Sequence, residues 1–124
     1  MENIELPQTE HTPTVLCNAT DGSISITGDS LPEDAKAFYQ QIIDWVRTVQ
    51  TEGTLGVKAR LFFNYFNSSS AKQIIKLFYA MEEVADSGKS VEIEWCHAAN
   101  DVMIKERGEE LAQLVELPFT VSAV

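Results

Sequence analysis

The sequence predicts an α/β domain, a central mixed sheet packed with helices in the order β-β-α-β-α-β-α-β. Three observations lead there. Short stretches that alternate apolar and polar residues are interleaved with stretches whose apolar residues recur at helical spacing. A hairpin signal, Asn18-Ala19-Thr20-Asp21-Gly22, stands near the start. The chain has 124 residues, enough for one buried core and too few for two.

Each element has its own signal. Residues 1–12 are polar and aperiodic and read as a flexible N-terminal tail, which leaves residues 13–124 as a single domain. Pro13 to Cys17 is extended, and Ser23 to Thr27 alternates with Ile24 and Ile26 on one face, so residues 13–28 form a hairpin. Ser30-Leu31-Pro32-Glu33 marks a helix start: Ser30 as cap, Glu33 closing a capping box, and Pro32 tolerated in the first turn. Ala35, Phe38, Tyr39, Ile42, Trp45, Val46 and Val49 carry that helix to about residue 50, and Gly53 and Gly56 bracket its exit. The next strand sets Leu55, Val57, Ala59, Leu61, Phe63 and Tyr65 on one face. Lys58, Arg60, Phe62 and Phe66 fall on the other, so its second half is expected to be covered above and below.

A second helix presents Ile74, Leu77, Phe78, Met81, Val84 and Ala85 inward and ends at Ser87-Gly88. Val91, Ile93 and Trp95 alternate with polar neighbours as a further strand. Residues 97–107 read as irregular or weakly helical. Glu109 to Val115 reads as a short helix with Leu111, Leu114 and Val115 inward, and Pro118 opens a last strand with Phe119 and Val121. No internal repeat, low-complexity tract or second domain is evident.

Composition narrows the function. Nineteen acidic residues against nine basic give a net charge of −10, a surface that repels phosphate backbones, so nucleic acid is excluded as a partner. The partner surface expected from that charge is basic or apolar. No apolar run is long enough to span a bilayer, and Met-Glu-Asn-Ile-Glu-Leu-Pro lacks the regions of a secretory signal, so no membrane insertion and a cytoplasmic location are expected. Cys17 and Cys96 have no metal-type spacing and read as buried free thiols. Gly53 and Gly56 do not form a phosphate-binding loop, so no cofactor is expected. Cys96 and His97 adjoin on a strand and point to opposite faces, a poor arrangement for activating a nucleophile. Glu92 and Glu94 share a strand face and read as a polar surface before they read as an acid–base pair. His11 has no evident partner.

The candidate site is the junction Leu61-Phe62-Phe63-Asn64-Tyr65-Phe66-Asn67-Ser68-Ser69-Ser70-Ala71-Lys72. An apolar strand stops at three hydroxyls, and a helix follows at once. A helix start presents unpaired backbone N–H groups. Ser68 is expected to cap it, although Asn67 can also cap, and one cap needs one side chain. Lys72 and Lys76 lie early in the helix, with Glu82, Glu83 and Asp86 at its end, the reverse of what the helix dipole favours. An anion at the start would offset that order, and Lys72 lies one turn beyond Ser68.

The chain resembles the SiaC-type family of bacterial regulatory phosphoproteins, whose fold is similar to STAS domains and anti-sigma-factor antagonists. The matching pieces run in order along nearly the whole chain: Thr12-Pro13-Thr14-Val15, residues 28–33, Ile43-Asp44-Trp45-Val46, residues 65–72, residues 87–95, Gly108-Glu109-Glu110 and Pro118-Phe119. The resemblance implies a STAS-like regulatory domain without catalytic residues, phosphorylated in the strand-to-helix loop by a Ser/Thr kinase and dephosphorylated by a PP2C-type phosphatase. It implies that the unphosphorylated form binds and activates a GGDEF diguanylate cyclase, raising cyclic di-GMP. The acceptor is then Ser68, with Ser69 and Ser70 as competitors and Asn67, Ser69, Lys72 and Lys76 as phosphate or partner contacts. The family's usual acceptor is threonine, and Trp95-Cys96-His97-Ala98-Ala99 also departs from its pattern. A small-ligand- or lipid-binding STAS-like module is the alternative, and a weak enzyme using the acidic strand or Cys96 is a third reading.

Overall fold

The computed structural model describes residues 1–52 and 56–124. The elements are β1 (Ile4–Leu6), β2 (Thr14–Asn18), β3 (Ser23–Ser30), α1 (Ala35–Glu52), β4 (Val57–Phe66), α2 (Ser68–Asp86), β5 (Val91–His97), α3 (Val102–Ala112) and β6 (Phe119–Ala123). The strands form one six-stranded sheet in sequential order. β1, β2 and β3 pair antiparallel, and β3 to β6 pair parallel. The predicted alternation of strands and helices holds, with one strand more than expected. Gly53 and Leu55, read as a helix exit and a strand residue, lie outside the described residues.

Each parallel pair is joined through a helix. Right-handed crossovers that step the same way across a sheet place their helices on the same face. Ile24, Ile26, Ala59, Leu61 and Ile93 are accordingly buried in one core with Ile42 and Val46 of α1 and Leu77 and Met81 of α2. The opposite face carries Ser25, Lys58, Arg60, Glu92 and Glu94 toward solvent. The expectation that β4 is covered on both faces is therefore corrected: helices cover one side only.

The loose tail expected over residues 1–12 is also corrected. Ile4–Leu6 adds an edge strand to β2, and the Trp45 indole N–H donates to Glu2 O at 2.7 Å. Three residues between polar neighbours are too few to show a period, which is why the strand was invisible in the sequence. The first helix begins later than its apparent signal. Asp34 Oδ1 accepts from Ala37 N at 3.0 Å and makes the cap, while Ser30 ends β3, so neither Ser30 nor Glu33 has the capping role expected of it.

Two corrections shape the site. Gly28 pairs with Phe63 but Asp29 pairs with Tyr65, so β4 holds one extra residue, Asn64, opposite β3. A bulge of this kind shifts the alternation by one. Tyr65, expected inside, is 53% exposed, and Phe66 turns inward onto Phe63 and Trp95 at centroid distances of 5.4 and 5.7 Å. The third helix runs over Val102–Ala112 rather than 109–115, and Leu114, expected inward, is half exposed.

Candidate functional site

Three serines open α2, and their surroundings differ. Asn67, with extended backbone (φ −85°, ψ 174°), caps the helix: its Oδ1 accepts from Ser70 N at 2.9 Å. Ser68 is therefore the first helical residue and not the cap, as had been expected. Its hydroxyl and that of Ser69 belong to exposed residues.

Ser70 is fully buried. Its Oγ donates to Ser30 O at 2.9 Å and lies 2.9 Å from Ser30 Oγ, which is in turn 2.6 Å from Tyr39 OH. Burial raises the Tyr39 phenol above its ordinary value, with the Ser30 hydrogen bond opposing. Ser30 O also accepts from Asn67 N at 3.1 Å. The end of β3, the second turn of α1 and the start of α2 are thus tied by one satisfied hydroxyl network, which holds the loop in place. The Ser70 hydroxyl is thus sealed in the core, whereas Ser68 and Ser69 are exposed.

Ser68 lines a cavity of about 330 Å³ together with Tyr65, Asn67, Asp101, Met103 and Arg107. Asp101 Oδ1 accepts from Ile104 N at 3.0 Å and caps α3, which brings that helix's first turns beside α2. Met103 is 74% exposed. Arg107 has Glu110 as its ion partner at 3.9 Å, both more than half exposed. Lys72 and Lys76 are exposed on α2 and have no ion partner among the described residues, but neither lines this cavity.

Tyr65, Met103 and Arg107 were missed in the sequence. The bulge reversed Tyr65, and the other two fall in residues 97–107, read as irregular or weakly helical, where α3 begins at Val102. The signal that could have found α3 is Asp101 three residues before Ile104, a cap before an apolar residue.

A larger cavity of about 490 Å³ lies on the open sheet face, lined by Ser25, Lys58, Arg60, Glu92, Glu94 and Thr120 among others. Its charges are matched across strands, Lys58 with Glu92 and Arg60 with Glu94, each at 3.2 Å. None of the three serines lines it. Glu92 and Glu94 are thus polar surface residues, paired with cations rather than with each other.

Burial pushes the Cys17 thiol up to about 12 and raises Cys96 as well, where Arg60 opposes and Glu94 reinforces the effect. His97 is buried with Nδ1 2.8 Å from Ala98 O. Among the described residues no group of three His, Cys, Asp or Glu is placed to hold a metal ion, and no helix is long and apolar enough to cross a membrane.

The chain is similar to known proteins over nearly its whole length. A family model described as SiaC family regulatory phosphoprotein matches residues 6–124. An uncharacterized protein of Pseudomonas aeruginosa (strain UCBPP-PA14) is 28% identical over 123 residues, 99% of this chain and 98% of the relative. The crystal structure of apo-SiaC from Pseudomonas aeruginosa is similar with a TM-score of 0.92 at 29% identity, covering 99% of this chain and 100% of that one. A chain in the crystal structure of the diguanylate cyclase SiaD in complex with its activator SiaC, also from Pseudomonas aeruginosa, matches with a TM-score of 0.92 at 28% identity, covering 98% and 99% of the two chains.

Proposed function

Because the chain belongs to the SiaC family of regulatory phosphoproteins, we propose that it is a non-catalytic cytoplasmic signalling protein switched at Ser68. Its unphosphorylated form binds and activates a GGDEF diguanylate cyclase. A Ser/Thr kinase releases it by phosphorylating Ser68, and a PP2C-type phosphatase restores it. The single observation behind this reading is the division of labour among the three serines. Asn67 supplies the cap and Ser70 the core contact, so the exposed Ser68 hydroxyl, at the rim of a cavity, has no structural task. Ser69 is exposed too but does not line that cavity, which places it second. The complex of SiaC with SiaD supports the class of partner. The alternation of parallel strands with helices is compatible with the STAS-like description of the domain.

The physics of release follows from where the charge is added. Phosphate brings roughly −1.5 to −2 charges at neutral pH. The hydroxyl network under Ser70 pins the loop, so release acts through charge at the surface rather than through loop movement. Burying an unmatched charge at an interface costs about 2–5 kcal/mol, roughly 30-fold to several thousandfold in affinity. Asn67, Ser69, Lys72 and Lys76 are the proposed phosphate or partner contacts, Lys72 being one helical turn beyond Ser68.

The test compares Ser68→Ala and Ser68→Glu as bait and as activators of the GGDEF cyclase they retain. Ser68→Ala should bind and activate, and Ser68→Glu should do neither. Equal affinity of the two variants overturns the switch.

A further inference from the structure

From the rim around Ser68 we infer the chemistry of what docks there: an acidic segment of the protein partner, with an apolar side chain seated between Tyr65 and Met103 and a carboxylate against Arg107. The inference rests on the reading of Ser68 as a release switch, and it specifies the partner's side of that switch.

One consequence of the proposed switch and one observation select an acidic occupant. The consequence is one of sign: a phosphate at Ser68 attracts a basic segment and repels an acidic one, so an acidic contact next to Ser68 adds repulsion to the cost of burying an unmatched charge. The observation is the state of the local cations. Lys58 and Arg60, on the open sheet face, are matched with glutamates at 3.2 Å across strands. Arg107 reaches only Glu110, at 3.9 Å and largely in solvent. An exposed pair of that kind is worth about 0–1 kcal/mol, so Arg107 turns to a partner carboxylate at little cost. Its guanidinium presents a planar fork suited to one. The acid on the same rim, Asp101, is directed to the first turn of α3, where its Oδ1 accepts from Ile104 N.

Apolar anchoring comes from the same residues. Tyr65 and Met103 are 53% and 74% exposed, beside a cavity of about 330 Å³. Tyrosine is enriched in interface hot spots, and methionine adapts its shape to what it packs against. The net charge of −10 pointed to a basic or apolar partner. That charge governs the field at a distance, whereas a docked segment meets the side chains that line the cavity, among which Arg107 is the cation. Phosphorylated Ser68 then acts twice: it repels the incoming carboxylate and competes for Arg107.

The test has two arms. In the first, amide NMR of the full chain follows titration with two amphipathic probe peptides, one of repeated Leu-Leu-Glu-Glu and one of Leu-Leu-Lys-Lys. The acidic peptide should shift the amides of Tyr65, Ser68, Met103 and Arg107 and bind about tenfold tighter than the basic one, a preference removed by Arg107→Glu. Tighter binding of the basic peptide at this rim, or no shift there with the acidic one, overturns the inference. In the second arm, Arg107→Glu should weaken the GGDEF cyclase retained by Ser68→Ala by about tenfold or more, while Lys58→Glu on the open face leaves it unchanged. Each variant sets a glutamate against another, Glu110 or Glu92, so both are compared below their own thermal transitions. A cyclase that binds Arg107→Glu as tightly as wild type overturns the acidic contact but keeps the switch. Peptide shifts at the rim without any cyclase bound overturn the choice of partner but keep the acidic site.

Discussion

Adjacent serines with one side-chain chemistry are given different roles by burial alone, and their stabilities should separate accordingly. Ser70→Ala leaves the Ser30 hydroxyl and carbonyl in a sealed space with one partner fewer each, and unmade buried hydrogen bonds of this kind cost about 1–3 kcal/mol. Ser68→Ala removes an exposed hydroxyl and should stay within about 0.5 kcal/mol of wild type. Guanidinium denaturation of the two variants measures the contrast. A second expectation concerns alkaline pH. The folded protein holds the Cys17 proton up to about 12, whereas the thiol's ordinary value is 9.0. The folded state therefore binds more protons than the unfolded state above pH 9. The sign is destabilising: full stability below about pH 9 is lost as pH rises, by about 1.4 kcal/mol per pH unit for each such group. Tyr39 and Cys96 are raised in the same direction. Denaturation midpoints at pH 8, 9 and 10 should fall in that order, and Cys17→Ala should flatten the fall by one proton's share.

At the scale of elements, what could be read from the sequence was whatever had enough length to show a period. The hairpin, the first two helices and the alternating strands fall in that class. The misses are places where tertiary contact outranks local preference. Gly108 is the clearest. The sequence reading starts the third helix at Glu109, one residue beyond it. In the structure it sits inside α3 because a Cβ there would lie 2.3 Å from Trp95 Cδ1, and the Trp95 indole N–H donates to Ile104 O at 2.9 Å on the same helix. The site was half legible for the same reason. The serine run and its helix were plain, whereas Tyr65 was turned out by a bulge and Arg107 lay in a stretch read as irregular or weakly helical. Two magnitudes decide what Gly108→Ala does. Helix propensity favours alanine by about 1 kcal/mol. Overpacking against a buried indole costs about 1–3 kcal/mol. The clash should win, giving a lower thermal midpoint and a changed Trp95 environment in near-UV circular dichroism.

Across the whole molecule, three helices on one face leave the sheet one-sided, and the ends of the sheet carry different duties. The Ser68 cavity lies at the carboxyl end of β4, between α2 and α3. It therefore borders the connection where β4 hands over to α2. β1 is at the far edge, across β2 and β3, and touches none of the residues that line that cavity. Its contribution is stability: Ile4 and Leu6 pack half-buried on the core, and Glu2 O satisfies the Trp45 indole. Deleting residues 1–8 exposes part of that core edge and leaves a largely buried N–H without its partner. Burying two partly covered aliphatic side chains is worth about 1–3 kcal/mol together. The orphaned donor adds about 1–3 kcal/mol. The truncated chain should therefore unfold at a clearly lower guanidinium concentration. Below that transition, its affinity for the cyclase and the difference between Ser68→Ala and Ser68→Glu should be unchanged, because the rim is built from β4, α2 and α3. An unshifted unfolding midpoint would return residues 1–12 to the status of a loose tail. A lost Ser68 contrast in a folded truncation would show that the two ends of the sheet are coupled.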